Sequence, residues 1–275
     1  MVGEKKRHPV AILVGILLAI LFLFPIYILA VNSFKSQKGI FIDPIGFPQE
    51  GMATLQNYPE AVDKMDYFGA FLNSLLITVA ATVLIIVCAS MAAWVLVRYK
   101  NKMSSVLFFL FSIAMIIPFQ CVMLPLVKLM SSLGLQNPPG LVFMYLGFGS
   151  SLSIMLYHGF IKGIPVELEE AAMIDGCGMW RTFWRVAFPL LTPITTTVAI
   201  VNIMWIWNDF LLPQLMINQP GWQTLPLKTF YFFGQFSKRW DLATAALILS
   251  MIPIILFYLA AQKKIIKGVT DGAIK

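Results

Sequence analysis

The chain has 275 residues, of which 59% are hydrophobic and only 12% charged, with a formal net charge of +7. Soluble domains are normally about one quarter charged, so this composition excludes an ordinary water-soluble enzyme or a nucleic-acid-binding module. It predicts an all-α membrane protein, because apolar runs near 20 residues suit spanning helices and are too long for barrel strands.

Six spans are predicted, at residues 10–31, 71–97, 104–127, 140–160, 190–212 and 242–262. The first is longer than the apolar core of a signal peptide and no small-residue cleavage site follows it, so it reads as a retained helix. Lys5, Lys6, Arg7, Arg98, Lys100, Lys102, Lys162, Arg181, Arg185, Lys263, Lys264, Lys267 and Lys275 fall on one side of this topology. Lys35, Lys38, Lys64, Lys128, Lys228, Lys238 and Arg239 fall on the other. The richer side is expected to be cytoplasmic, which places both termini inside a plasma membrane and accounts for the net charge. The chain reads as one transmembrane domain: an N-terminus at 1–9, a six-helix core at 10–262 and a tail at 263–275.

Taken in order, the first span carries Pro25, a point of bending. Residues 32–70 are rich in Pro, Gly and polar side chains and read as an external loop, either a connector or a surface for an external partner. The second span has small residues at Ala80–Thr82 and Ala89–Ala93, which allow close helix approach in lipid. Pro118 and Pro125 interrupt the third span. Gln120, near that bend, either lines a polar pathway or bonds a neighbouring helix. His158 ends the fourth span without an acidic partner on it, which suits an interfacial structural role.

Between the fourth and fifth spans lies the longest mixed polar segment, 163–189. Pro165 suits a first helical turn. Glu167, Glu169 and Glu170 complement a helix N-terminus, and Gly176 supplies a left-handed end. A second short helix over 179–187 should stop at Pro189. The fifth span holds Asn202, Trp205, Trp207, Asn208 and Asp209, a polar and aromatic cluster open to two uses. It can serve structure or gating, or present aromatic faces and hydrogen-bonding groups to a sugar. The external loop at 213–240 is rich in aromatic residues, and Lys263 and Lys264 lead into a basic tail. Cys88, Cys121 and Cys177 lack metal-ligand spacing.

Glu170-Ala171-Ala172, then Gly176, then Val186-Ala187-Phe188-Pro189 resembles the EAA motif of the membrane subunits of binding-protein-dependent ABC importers. Val186 and Phe188 stand where the family pattern has Ile and Leu. The run MIIPFQCVMLPL at 115–126, the WND triplet at Trp207–Asp209 and the C-terminal IIKGVTDGAIK are similar to the maltose-type carbohydrate permeases. The resemblance implies a cytoplasmic coupling helix between spans four and five. Glu169, Glu170, Ala171, Ala172, Asp175, Gly176 and Pro189 would meet a separate ATPase, as would Lys267, Gly268, Thr270 and Gly272 of the tail. Gln120, Asn202, Trp205, Trp207, Asn208 and Asp209 are the candidate substrate pathway, of which the resemblance covers Trp207, Asn208 and Asp209. The resemblance also implies a loop at Asn218, Gln219, Pro220, Gly221 and Trp222 that reaches an extracytoplasmic sugar-binding protein.

The chain has no GxxxxGK[ST] phosphate cradle, so the resemblance makes it a permease without its own ATPase site. No cofactor is expected on it; ATP and Mg would be held by two partner ATPase subunits beside a second, homologous permease. The competing class is a secondary sugar transporter driven by an ion gradient, for which Asp209 and His158 are the only loose coupling candidates. A membrane scaffold or insertase is a third class. The EAA resemblance separates the importer from both.

Overall fold

A computed structural model describes residues 9–217, 219–233 and 238–273. Asn218 lies outside them. The described residues are helical throughout apart from turns and one isolated bridge between Lys35 and Ala53. In order these are α1 (Pro9–Ser33), α2 (Gln37–Ile42), α3 (Asn57–Lys64), α4 (Tyr67–Arg98), α5 (Lys102–Ala114), α6 (Phe119–Ser132) and α7 (Pro138–Ile161). They are followed by α8 (Glu167–Ile174), α9 (Met179–Leu190), α10 (Thr192–Asn208), α11 (Leu211–Met216), α12 (Leu225–Phe230) and α13 (Trp240–Ala273). Among the described residues four helices are long and apolar enough to cross a membrane, and up to six spans result if each of two bent pairs counts as one.

Two expected spans are corrected. The third is not one helix: α5 and α6 meet at 103°. Pro118 has no N–H to donate and disfavours helical geometry in the residue before it, and it sits in extended backbone at ψ 138°. The helix of the fifth span, α10, ends at Asn208, four residues short of the expected limit, because Asp209 turns extended at ψ 130°. The Asp209 carboxylate accepts the Leu211 N–H at 3.0 Å, a local bond that competes with helix continuation.

Two compact units divide the chain. The first comprises residues to Phe68 with Lys228–Pro253. Here the expected connector at 32–70 is built. The Asn57 side-chain amide, 4% exposed, donates to the carbonyls of Ser33 and Lys35 at 2.9 and 2.8 Å. Ser36 caps α2 by accepting from Gly39. Lys35 is buried with its ammonium on the Asp43 carbonyl at 2.6 Å. Lys64 donates to Glu60 at 2.6 Å and holds its carboxyl below the usual range, with Arg239 adding to the effect.

The second unit comprises Gly69–Leu227 with Ile254–Lys275. On α4, Ala81, Ile85, Ala89 and Ala93 are fully buried at four-residue spacing. On α7 the same spacing buries Leu141, Tyr145, Gly149, Ser153, Tyr157 and Ile161. Such i±4 rows are the ridges by which helices interlock. Gly149 is required at the contact: a Cβ there would stand 2.5 Å from Ile85 Cδ1 and 2.7 Å from Asn202 Oδ1. Asn137 caps α7 by accepting from Gly140, with prolines in the first turn.

Candidate functional site

The segment between α7 and α10 starts as the sequence predicts. α8 begins at Glu167, two residues after Pro165, with Glu167, Glu169 and Glu170 in its first turn. It ends in a Schellman cap. Gly176 takes φ +84°, its N–H bonds the Met173 carbonyl, and the Cys177 N–H bonds the Ala172 carbonyl, each at 3.0 Å. No atom lies within 4 Å of a Cβ built at Gly176, so the glycine answers to backbone conformation and not to crowding.

Pro189 does not stop α9, which continues to Leu190. Residues Phe183–Ala187 form a π turn in which the Phe188 N–H reaches back to the Phe183 carbonyl. The one-residue insertion shifts the hydrogen-bond register just before the proline. The break falls instead at Leu191, where the chain turns 77° into α10.

One carboxylate holds this segment in place. Glu169 is 2% exposed and lies in the first turn of α8. Arg98, the last residue of α4, donates to it through Nη2 at 2.7 Å and through Nε at 3.0 and 3.1 Å. Trp94 Nε1, one turn back on α4, donates to its other oxygen at 2.9 Å. Arg98 also reaches the Ile164 carbonyl at 3.2 Å. The paired, charge-assisted donors satisfy an ion that would otherwise be costly to bury. The Trp94 ring packs on Phe183 of α9 at 5.3 Å between centroids, so a single indole touches both short helices.

Sequence reasoning placed Glu169 beside Glu170 at a partner surface and missed this pairing. The structure turns the two apart: Glu169 faces inward, whereas Glu170, Ala171, Asp175, Gly176 and Pro189 are exposed and Ala172 is half-buried. The outward surface adds Ile174 at 86% exposure and Leu168 and Met173 at nearly half. The signal for the pairing is thin, a lone arginine closing an apolar helix. The tail residues Lys267, Gly268, Thr270 and Gly272 fall on the last turns of α13, and their side chains lie outside the described residues.

The fifth-span cluster separates into four places. Asn202 is buried and donates to Ser153 Oγ at 3.1 Å and the Val198 carbonyl at 2.8 Å. Trp207 is buried edge-on to Phe71. Tyr145, Trp205 and Asp209 form a polar aromatic group: the Tyr145 hydroxyl donates to Asp209 at 3.0 Å, and the half-exposed Trp205 packs edge-on against Tyr145 at 5.4 Å. Asn208 is exposed and, among the described residues, its side chain bonds only back to its own helix at Met204. Gln120 is exposed near the start of α6 and is not brought to this group. In the loop, Gly221 takes φ +84° and its carbonyl accepts from Asn73 of α4 at 2.7 Å. Gln219, Pro220 and Trp222 stand exposed around that anchored turn.

The family model for the binding-protein-dependent transport system inner membrane component matches residues 81–271. The chain is 46% identical over 261 residues to a probable starch degradation products transport system permease protein of Thermoanaerobacterium thermosulfurigenes, covering 95% of this chain and 94% of that one. It is 36% identical over 261 residues to the multiple sugar-binding transport system permease protein of Streptococcus mutans, covering 93% of each. A bacterial ABC transporter involved in the import of the polysaccharide alginate superposes with TM-score 0.77 at 20% identity, over 96% of this chain and 99% of that one. At that identity the likeness establishes the fold.

Proposed function

The chain belongs to the binding-protein-dependent transport system inner membrane components, and from that premise we propose that it imports sugar, an oligosaccharide by preference, as one of two homologous permeases in an ATP-driven complex. A sugar-binding protein delivers the cargo from outside, and two ATPase subunits bind and hydrolyse ATP with Mg on the cytoplasmic side. Both termini of this chain face the cytoplasm, as the distribution of Lys and Arg favours.

The observation that carries this reading is the Glu169 clamp. α8 presents Glu170, Ala171, Met173 and Ile174 outward while its inward carboxylate is bonded to the end of a membrane helix. An ATPase that grips the outward face thereby moves α4 together with α8. Coupling requires an element that two states contact differently, and a short rigid helix tied to a span meets that need. The tail of α13 is a second contact with the ATPases, and the turn at Gln219–Trp222 a contact with the binding protein. The starch-product and multiple-sugar relatives support a carbohydrate cargo.

The test is gentle extraction from the native membrane followed by identification of what comes with the chain, and uptake assays in vesicles. A second six-span permease and a P-loop ATPase should co-purify, and oligosaccharide uptake should need internal ATP. Uptake that persists without ATP but collapses when the ion gradient is dissipated would overturn the proposal.

A further inference from the structure

A cavity of about 1010 Å³ opens where α4 and α7 end and α5 begins. It is lined by Lys100, Lys102, Lys162, Ser105 and His158, with no Asp or Glu among its lining residues. Arg98 also borders it, but that charge is already met by Glu169. Three exposed lysines thus converge on one concavity with no carboxylate to balance them.

His158 makes the cavity more than a cluster of surface charge. Its side chain is 9% exposed and its ring stacks on Phe108 of α5, with centroids 3.8 Å apart and planes inclined by 19°. Among the described residues its ring nitrogens have no hydrogen-bond partner, and they are not among the sealed-off polar atoms, so they remain open to a group that enters the cavity. The imidazole is therefore fixed by stacking and directed at the cavity with its hydrogen-bonding capacity unspent.

The adjoining surface of α5 is apolar and open. Met103, Val106 and Phe109 are 71%, 56% and 62% exposed. A basic hollow at the ends of membrane helices, continuous with an apolar helix face, matches an amphiphile with a negative head and hydrocarbon tails. We propose that this cavity holds the phosphodiester headgroup of an anionic phospholipid. Lys100, Lys102 and Lys162 neutralise the phosphate, His158 and Ser105 bond its oxygens, and the acyl chains lie along α5. The site is independent of the sugar-import reading and requires no partner subunit.

The experiment uses the full chain, purified in detergent, stripped of lipid and titrated with phosphatidylglycerol or phosphatidylcholine under native mass spectrometry. The unaltered chain should retain one phosphatidylglycerol in preference to phosphatidylcholine. The K100Q/K102Q/K162Q variant should bind it roughly a hundredfold more weakly, from the contribution of each basic residue near an anionic lipid. Lys162→Glu alone should weaken it at least about tenfold by placing a like charge in the hollow. Circular dichroism should show both variants as helical as the original. Equal retention by original and variants, or no preference over phosphatidylcholine, overturns the proposal. Displacement of the lipid by millimolar inorganic phosphate would assign the cavity to a soluble anion and overturn the lipid assignment. A photoreactive phosphatidylglycerol on the unaltered chain gives a reading free of mutation: labelled peptides within 100–108 support the site, and labels confined elsewhere refute it.

Discussion

Two acids stand beside membrane helices in this protein and are held in opposite ways. Glu169 is met by a guanidinium and an indole N–H, so its charge is cancelled by a fixed positive partner. Asp209 is met by the Tyr145 hydroxyl and the Leu211 backbone N–H, both neutral donors. The first arrangement resists change, because separating the partners strands two buried charges. The second tolerates it, because hydroxyl and amide donors are exchanged for water or another ligand at small net cost. The stiff acid is at the joint between α8 and α4, and the adaptable one is where the fifth span gives way to irregular backbone.

Removing the stiff partner should have the largest effect. Glu169→Ala leaves Arg98 uncompensated beside Trp94 and should cost about 3–5 kcal/mol, read as a lower midpoint in thermal unfolding of the purified protein. ATP-driven uptake should fall with it. Adding Arg98→Leu should restore much of the stability, since neither charge then remains, while uptake stays low. A single variant that melts like the original would break the comparison at its first term.

Gly176→Leu comes next. Its left-handed conformation costs a side-chain-bearing residue about 1–2 kcal/mol, and no neighbour is near enough to add a clash. Uptake should drop while ATP hydrolysis by the assembled complex continues, and Gly176→Asn, which tolerates the same backbone, should recover most of it. Normal uptake by the leucine variant would remove the turn from the coupling mechanism.

The smallest effect belongs to the adaptable acid. Asp209→Asn keeps its one oxygen for the Leu211 N–H and turns an amide N–H toward the Tyr145 hydroxyl, which can accept as well as donate, so stability should change by less than about 1 kcal/mol and uptake by less than about twofold. Loss of uptake on that change, with Glu169→Gln still active, would invert the comparison and make the Asp209 charge the working element.

What the sequence made legible was local. Pro165, the three glutamates and Gly176 lie within twelve positions, and each states its own backbone preference; α8 and its cap form where they point. The six apolar runs were legible for the same reason. The Arg98–Glu169 bond was not, because its partners are 71 positions apart and nothing near either names the other. The built form of residues 32–70 was hidden likewise: Asn57 reads as a loop residue until Ser33 and Lys35 supply its acceptors. Pro118 announced a bend but not one of 103°, which depends on what the helices on either side pack against. The π turn at Phe183–Ala187 has no sequence sign beyond the proline after it.

The bond between Arg98 and Glu169 has a mechanical corollary. It closes a circuit in the chain, so that the covalent path through α5, α6 and α7 runs between two points already fastened together. A displacement applied at α8 takes the shortcut across one ion pair and arrives at α4 without crossing the sharp corner between α5 and α6. The corner need not carry that load, and the proline there can leave it compliant without slackening the tie between α8 and α4.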